Sequence, residues 1–321
     1  MTLSLRHRAL TAGATAVALA LMSASGAVAA DDPGSDVVSI IESASPALSA
    51  ATAASIDVDG DAAAQGDFGG MEVSIPTDPV DQISLQTSDG AALSIGLPFA
   101  DEAAHAVVED DGVVSYDNGN GSITVPVIID DGSLAVHTII ESADSPTRYE
   151  YPLDLMAGDT AALDPNGAIV ILSADGDFQF AIGAPWARDA NGANVPTRYE
   201  LTGNVLTQIV DLTEAFVFPV VADPTIGGYY MASYSWNTAL DRITITPTFA
   251  GGTFPSGVVA TYGWIELINK TSRVNRTTYN QQFNCHAGFN TLLWAAGQTW
   301  DLEGWRVPSG PWGAISNPCN W

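Results

Sequence analysis

The residues best suited to chemistry are crowded into one stretch, Asn275 to Arg306, NRTTYNQQFNCHAGFNTLLWAAGQTWDLEGWR. It holds a thiol beside an imidazole (Cys285, His286), two carboxylates (Asp301, Glu303) and a guanidinium (Arg306). Glu303 as general acid or base with His286 nearby would suit cleavage of a glycosidic bond or of peptidoglycan, a reaction that needs a proton delivered or a water activated. Asp301 and Arg306 complete that candidate catalytic set. The plainer reading makes Glu303 and Arg306, three apart, a local ion pair and gives His286 to a packed surface. A nucleophilic Cys285 is poorly served, because adjacent helical residues point about 100° apart and a base normally reaches its nucleophile from elsewhere in the fold. The tryptophans Trp294, Trp300, Trp305 and Trp312 offer flat apolar faces on which sugar rings can lie, and equally the bulk a small core needs.

The elements that must position these groups belong to an exported chain. Arg6, His7 and Arg8 form a basic start, Ala9 to Leu21 is apolar, and Ala27-Val28-Ala29 is a small-x-small cleavage site, so residues 1–30 read as a signal peptide. That apolar run is too short to span a bilayer and no other stretch approaches about 18 apolar residues, so no membrane span is expected. The formal charge of -27 is unevenly spread. Residues 31–224 carry 33 Asp and Glu against Arg148, Arg188 and Arg198, whereas residues 225–321 have four acids (Asp241, Glu266, Asp301, Glu303) and five cations. Such an acidic chain is unsuited to nucleic acid, whose phosphates need clustered Lys and Arg. The shift in composition marks a domain boundary.

Residues 31–70 read as a flexible acidic tether with at most one short helix, the stripe Val37, Val38, Ile40, Ile41 and Ala44. Asp57, Asp59 and Asp61 alternate as in a calcium loop but lack its glycine and closing carboxylate, and no metal is expected there. Residues 71–224 read as an acidic β-rich domain, a sandwich or a series of meanders. Turn pairs at Asp89-Gly90, Asp111-Gly112, Asn118-Gly119, Asp131-Gly132, Asn166-Gly167, Asp175-Gly176 and Asn191-Gly192 punctuate short apolar runs. PTRYE occurs at Pro146 to Glu150 and again at Pro196 to Glu200, where each arginine suits pairing with local acids. Residues 225–321 then form a small Trp-rich α+β domain. In it Ser256 opens a helical stripe (Val258, Val259, Tyr262, Ile265, Ile268), and Thr278 to Gln281 fits a capping box.

The pattern Thr246-Pro247-Thr248, Gly263-Trp264-Ile265-Glu266-Leu267, Gln282-Phe283-Asn284-Cys285-His286, Trp300-Asp301-Leu302-Glu303-Gly304-Trp305-Arg306 and Cys319-Asn320 resembles the bacterial domain of unknown function 2599 over about the last 95 residues. The preceding β region, with SIGLPFAD, YDNGNGS and FPVVADP, is similar to leaders of exported proteins of high-GC Gram-positive bacteria. The resemblance implies a secreted or envelope location and carries no activity. Two cysteines in an exported module are most simply a disulfide, Cys285 to Cys319, worth about 3–4 kcal/mol for a loop of this length. A zinc site from Cys285, His286 and Cys319 lacks paired ligand spacing and a fourth residue, so neither metal nor cofactor is expected. The reading is a mainly β, secreted or envelope-associated protein with a noncatalytic binding module for cell-wall glycan or another envelope component. Its rival is a secreted hydrolase of cell-wall or polysaccharide material.

Overall fold

A computed structural model describes residues 33–45, 57–110, 112–307, 313–314 and 317–319; the expected signal peptide and Trp312 lie outside them. Helix α1 (Pro33–Ala44) precedes β1 (Asp57–Asp59), β2 (Ala62–Phe68), β3 (Met71–Pro76), β4 (Ile83–Thr87) and β5 (Ala92–Ile95). There follow β6 (Val107–Asp110), β7 (Val113–Asp117), β8 (Ser122–Ile128), β9 (Leu134–Ile140), β10 (Arg148–Leu155), β11 (Thr160–Leu163) and β12 (Ile169–Leu172). Next are β13 (Phe178–Ile182), β14 (Trp186–Arg188), β15 (Thr197–Thr202), β16 (Val205–Val210), β17 (Val220–Asp223) and β18 (Thr225–Gly227). They make two antiparallel sheets. Sheet one runs β1-β2-β3-β4-β5-β10-β16-β15; sheet two runs β11-β12-β13-β18-β9-β8-β7-β6, with β17 joining β9 to β14.

The sheets face each other across the main core. Met71, Val73 and Ile75 of β3, Tyr149 and Tyr151 of β10 and Leu206 of β16 meet Val136 and Ile140 of β9, Ile169 and Ile171 of β12 and Phe180 of β13. Strands of sheet one alternate buried and exposed, as in β4 and β10, whereas β9 is buried along its whole length. Alternation means one wet face, and continuous burial means two covered faces. Sheet two is therefore a middle layer, and the expected sandwich is present with a third layer added. The glycine of each of the seven expected turn pairs has a positive φ. At Gly132 the requirement is double, since a Cβ would also strike Met71 and the Phe68 carbonyl. The two PTRYE copies flank β16 at the same register, Arg148 and Arg198 both opposite Ile209. Their guanidiniums pair with acids as expected, Arg148 with Glu200 at 3.2 Å and Arg198 with Asp211 at 3.3 Å.

Two expected boundaries move. The tether does not extend to Gly70, because β2 is an interior strand of sheet one and buries Ala63 and Ala64. Small side chains give the composition of a linker but also fit a closely packed sandwich. Helix α1, expected only as a short stripe, buries Val37, Ile41 and Ala44 with Val125, Val127 and Ile139 on the outer face of sheet two. The boundary at 224/225 falls inside sheet two, where β18 pairs with β13 and β9. A second core crosses it: Val170 and Ala181 pack with Tyr230, Phe254, Val258 and Phe283. The outer face of sheet two is apolar on both sides of the junction, so the C-terminal region covers it and does not stand apart.

That region adds a small sheet, β19 (Met231–Asn237), β20 (Arg242–Pro247) and β21 (Trp300–Glu303), in that order. Its helices are α2 (Phe249–Thr253), α3 (Ser256–Val258), α4 (Trp264–Lys270), α5 (Thr277–Gly288) and α6 (Asn290–Ala295), followed at the end by the short strands β22 (Gly313–Ala314) and β23 (Asn317–Pro318). The α+β expectation holds. The stripe behind Ser256 is helical, but a π-helical turn over Val259–Gly263 interrupts it, and its N-cap is Pro255, with no side-chain cap bond. At Gly263 a Cβ would press on Phe283 and Tyr230, so the glycine serves close packing. The capping box at Thr278 is not formed: the helix begins at Thr277, and the Thr278 hydroxyl donates to the Arg306 carbonyl instead.

Candidate functional site

Strand β21 is an edge of the three-stranded sheet, and its free side is the key to the expected catalytic set. Gln282 on α5 accepts the Glu303 N–H at 2.9 Å and donates to the Glu303 carbonyl at 3.0 Å. One turn on, His286 Nε2 donates to the Asp301 carbonyl at 3.3 Å. Residues four apart on a helix thus satisfy residues two apart on a strand, closing an edge that would otherwise present unpaired amides and carbonyls. A carbonyl only accepts, so Nε2 carries the proton. Nδ1 is left buried without a hydrogen bond.

The ring of His286 stacks on Trp300 at 5.8 Å and 10°, and Trp300 packs edge-on against Phe283 at 5.4 Å. Burial pushes His286 down to about 4, against the pull of the Asp301 carbonyl, so it is neutral at pH 7. Alternation along β21 sends Trp300 and Leu302 inward and Asp301 and Glu303 the other way. There Asp301 accepts from Thr244 at 2.5 Å and pairs with Arg242 at 3.3 Å, while Glu303 is held by Arg306. The structure brings the four residues into one neighbourhood without a dyad: the imidazole faces the core and the carboxylates face away from it. Cys285 is bonded to Cys319, with Cα atoms 5.2 Å apart, and both cysteines of the chain are consumed.

The expected tryptophan platform divides. Trp300 is buried, and Trp294 wedges onto α2 against Gly252 and Phe249. Trp305 alone of the described candidates is largely exposed, at 60%, with the Arg306 guanidinium 4.5 Å from its ring centre. Next to it lies a cluster that sequence reading missed. Asp241, at the β19–β20 turn, receives Arg273 and Arg276, each at 2.8 Å, and the Tyr279 hydroxyl at 3.0 Å. The Arg276 bond, with Arg273 and Tyr279 adding to it, holds the Asp241 carboxyl down to about 2. Arg273 lies over Trp236 at 4.4 Å and Arg276 over Tyr279 at 4.4 Å. The Gly304 N–H donates to the Asp241 carbonyl at 2.7 Å, tying this cluster to Trp305 one residue on. The signal was present in the sequence as Gly304 within WDLEGWR, since a Cβ there would strike Asp241, Arg276 and Tyr279.

Glu266 was also missed as a site residue, although it sits in the Gly263 to Leu267 motif. Its Oε2 accepts the Tyr230 N–H at 2.7 Å, its Oε1 lies 3.5 Å from the Lys270 ammonium, and its side chain is 11% exposed. Burial pushes it up to about 7, against the Tyr230 bond and Lys270. Among the described residues no group of three or more His, Cys, Asp or Glu side chains is arranged to hold a metal ion, and no helix is long and apolar enough to cross a membrane.

Residues 231–321 match the family model described as a protein of unknown function, DUF2599, which agrees with the resemblance in its extent. No curated protein matches the chain.

Proposed function

We propose that this is an exported, noncatalytic protein of the cell envelope or its surroundings that binds wall glycan or another envelope component through its C-terminal domain. The supporting observation is the employment of each described candidate for catalysis. Cys285 is a crosslink, His286 closes a strand edge as a neutral ring, and Glu303 is held by Arg306. Export is supported by the tripartite leader in the sequence and agrees with a disulfide, which persists in oxidising surroundings. The face offered to a partner centres on the exposed ring of Trp305, beside the half-exposed Arg273 and Arg276 that share Asp241.

The test is co-sedimentation of the protein without its leader on purified insoluble wall glycan. Trp305→Ala should lower retention by about tenfold, the loss of one exposed aromatic contact, with an unchanged melting temperature. Equal retention of the variant and the parent would reject this face.

A further inference from the structure

Residues 225–321 hold four acidic and five basic side chains, and the structure pairs them unevenly. Asp301 has Arg242, Glu266 has Lys270 and Glu303 has Arg306, one cation to each acid. Asp241 has two, Arg273 and Arg276. The surplus positive charge of the region therefore sits at the β19–β20 turn. The first turn of α5, which begins at Thr277 beside Arg276, carries no acidic residue that would cancel it. Both guanidiniums remain accessible, their side chains being 46% and 45% exposed. Each lies over a ring, Arg273 over Trp236 and Arg276 over Tyr279, which fixes its position. Asp241 and Tyr279 engage a single nitrogen of each guanidinium, so most of its five N–H donors are left for another acceptor. Gly304 joins this cluster to the exposed indole: a Cβ on it would lie 2.3 Å from Arg276 Nη2, and Trp305 is the next residue.

We propose that Arg273 and Arg276 receive one carboxylate of the glycan that lies on Trp305, so that the ligand of this face is an acidic sugar. The inference deepens the glycan-binding reading of the same face and rests on it. Charge selects the ligand. Two guanidiniums sharing Asp241 keep one unmatched positive charge, which a monoanion neutralises, a neutral sugar leaves unmatched and an amino sugar bearing an ammonium opposes. A phosphate monoester, with close to two charges, would carry the cluster past neutrality. Shape agrees, because the planar guanidinium fork matches a carboxylate, and the pair already holds one in Asp241 at 2.8 Å from each. Exposed charges act over about 8 Å at physiological salt, so this cluster and not the net charge of -27 governs the field that the ligand meets. Exposed ion pairs are individually weak, which gives the aromatic ring the contact area and the arginines the selection.

The experiment is calorimetry on the chain lacking its leader with three probes: a β-1,4-linked glucose oligomer, its counterpart of equal length in which alternate units are glucuronate, and a glycerol phosphate oligomer that offers phosphodiesters. The glucuronate oligomer should bind about tenfold more tightly than the neutral one, and more tightly than the phosphodiester. Arg273→Gln should remove that preference by weakening the glucuronate oligomer about tenfold. Arg198→Gln, which makes the same change in net charge on sheet one, should leave the preference in place. Should Arg273→Gln fail to fold, the parent in about 0.5 M salt gives the same reading, since screening should erase the preference. Equal binding of the two sugar oligomers, tighter binding of the phosphodiester, or a preference unmoved by Arg273→Gln and by salt would overturn the carboxylate site. If Trp305→Ala then weakens both sugar oligomers, the glycan face stands without it. No binding of either sugar oligomer also overturns the inference, and retention on insoluble glycan unchanged by Trp305→Ala would take the wider reading with it.

Discussion

A proton held on one buried carboxyl makes stability depend on pH. Glu266 is raised by burial from 4.5 to about 7, so between those values the folded chain keeps a proton that the unfolded chain has released. Its contribution is complete below about 4.5 and is lost as pH rises through about 7. Asp223, also raised to about 7 by burial, acts in the same sense. His137 and His286, lowered by burial to about 3 and about 4, act in the opposite sense as pH falls below the ordinary imidazole range. Comparing Glu266→Gln with its parent cancels the other three groups. The variant should gain thermal stability relative to the parent as pH rises from about 5 to about 8, because its amide stays neutral. A difference in melting temperature that stays constant with pH would contradict the burial of this carboxyl. At this scale the sequence was a partial guide. It singled out His286, Asp301, Glu303 and Arg306 as a candidate set, but spacing alone fixes no separation between them and does not say that the imidazole and the carboxylates lie on opposite sides of β21. Gly304 and Glu266 stood inside the quoted motifs, yet their roles depend on Asp241 and Tyr230, residues that only the fold brings near.

Helix α5 and strand β21 show what a motif can mean when its residues serve an element. His286 reads as chemistry in a linear pattern, and together with Gln282 as the closure of a sheet edge once the helix lies along the strand. Gln282→Ala should therefore cost about 1–3 kcal/mol in urea unfolding, since it strands the amide and carbonyl of Glu303. A loss within about 0.5 kcal/mol, the usual result at an indifferent surface position, would mean that water replaces the glutamine freely. Turn glycines and alternating runs made most of the strands legible, because a positive φ and a half-buried face each leave a local mark. Strand β2 left none, its buried residues being alanines, and β6, β11 and β14 are too short or too exposed to show a pattern. The π-helical turn was likewise hidden, since the apolar stripe from Val258 to Ile268 keeps a helical period across it.

For the molecule as a whole, the change of charge near residue 225 proved to be a change of surface and not of core. Sheet two buries Val170 and Ala181 beneath the C-terminal helices, and β18 is one of its strands. Limited proteolysis should accordingly spare residues 224–228, and a protected fragment should run across them. A clean early cut there, yielding two folded halves, would contradict the shared core. Composition reports what faces water, and for that reason it misplaced a boundary that apolar packing decides. The central claim is that this assembly binds and does not turn over. Its most direct test incubates the protein without its leader with insoluble wall material and measures, in one sample, the protein in the pellet and the reducing ends released to solution. Saturable retention with no release above the blank is the predicted result; release that disappears in Glu303→Gln would contradict it and return the C-terminal domain to the hydrolases.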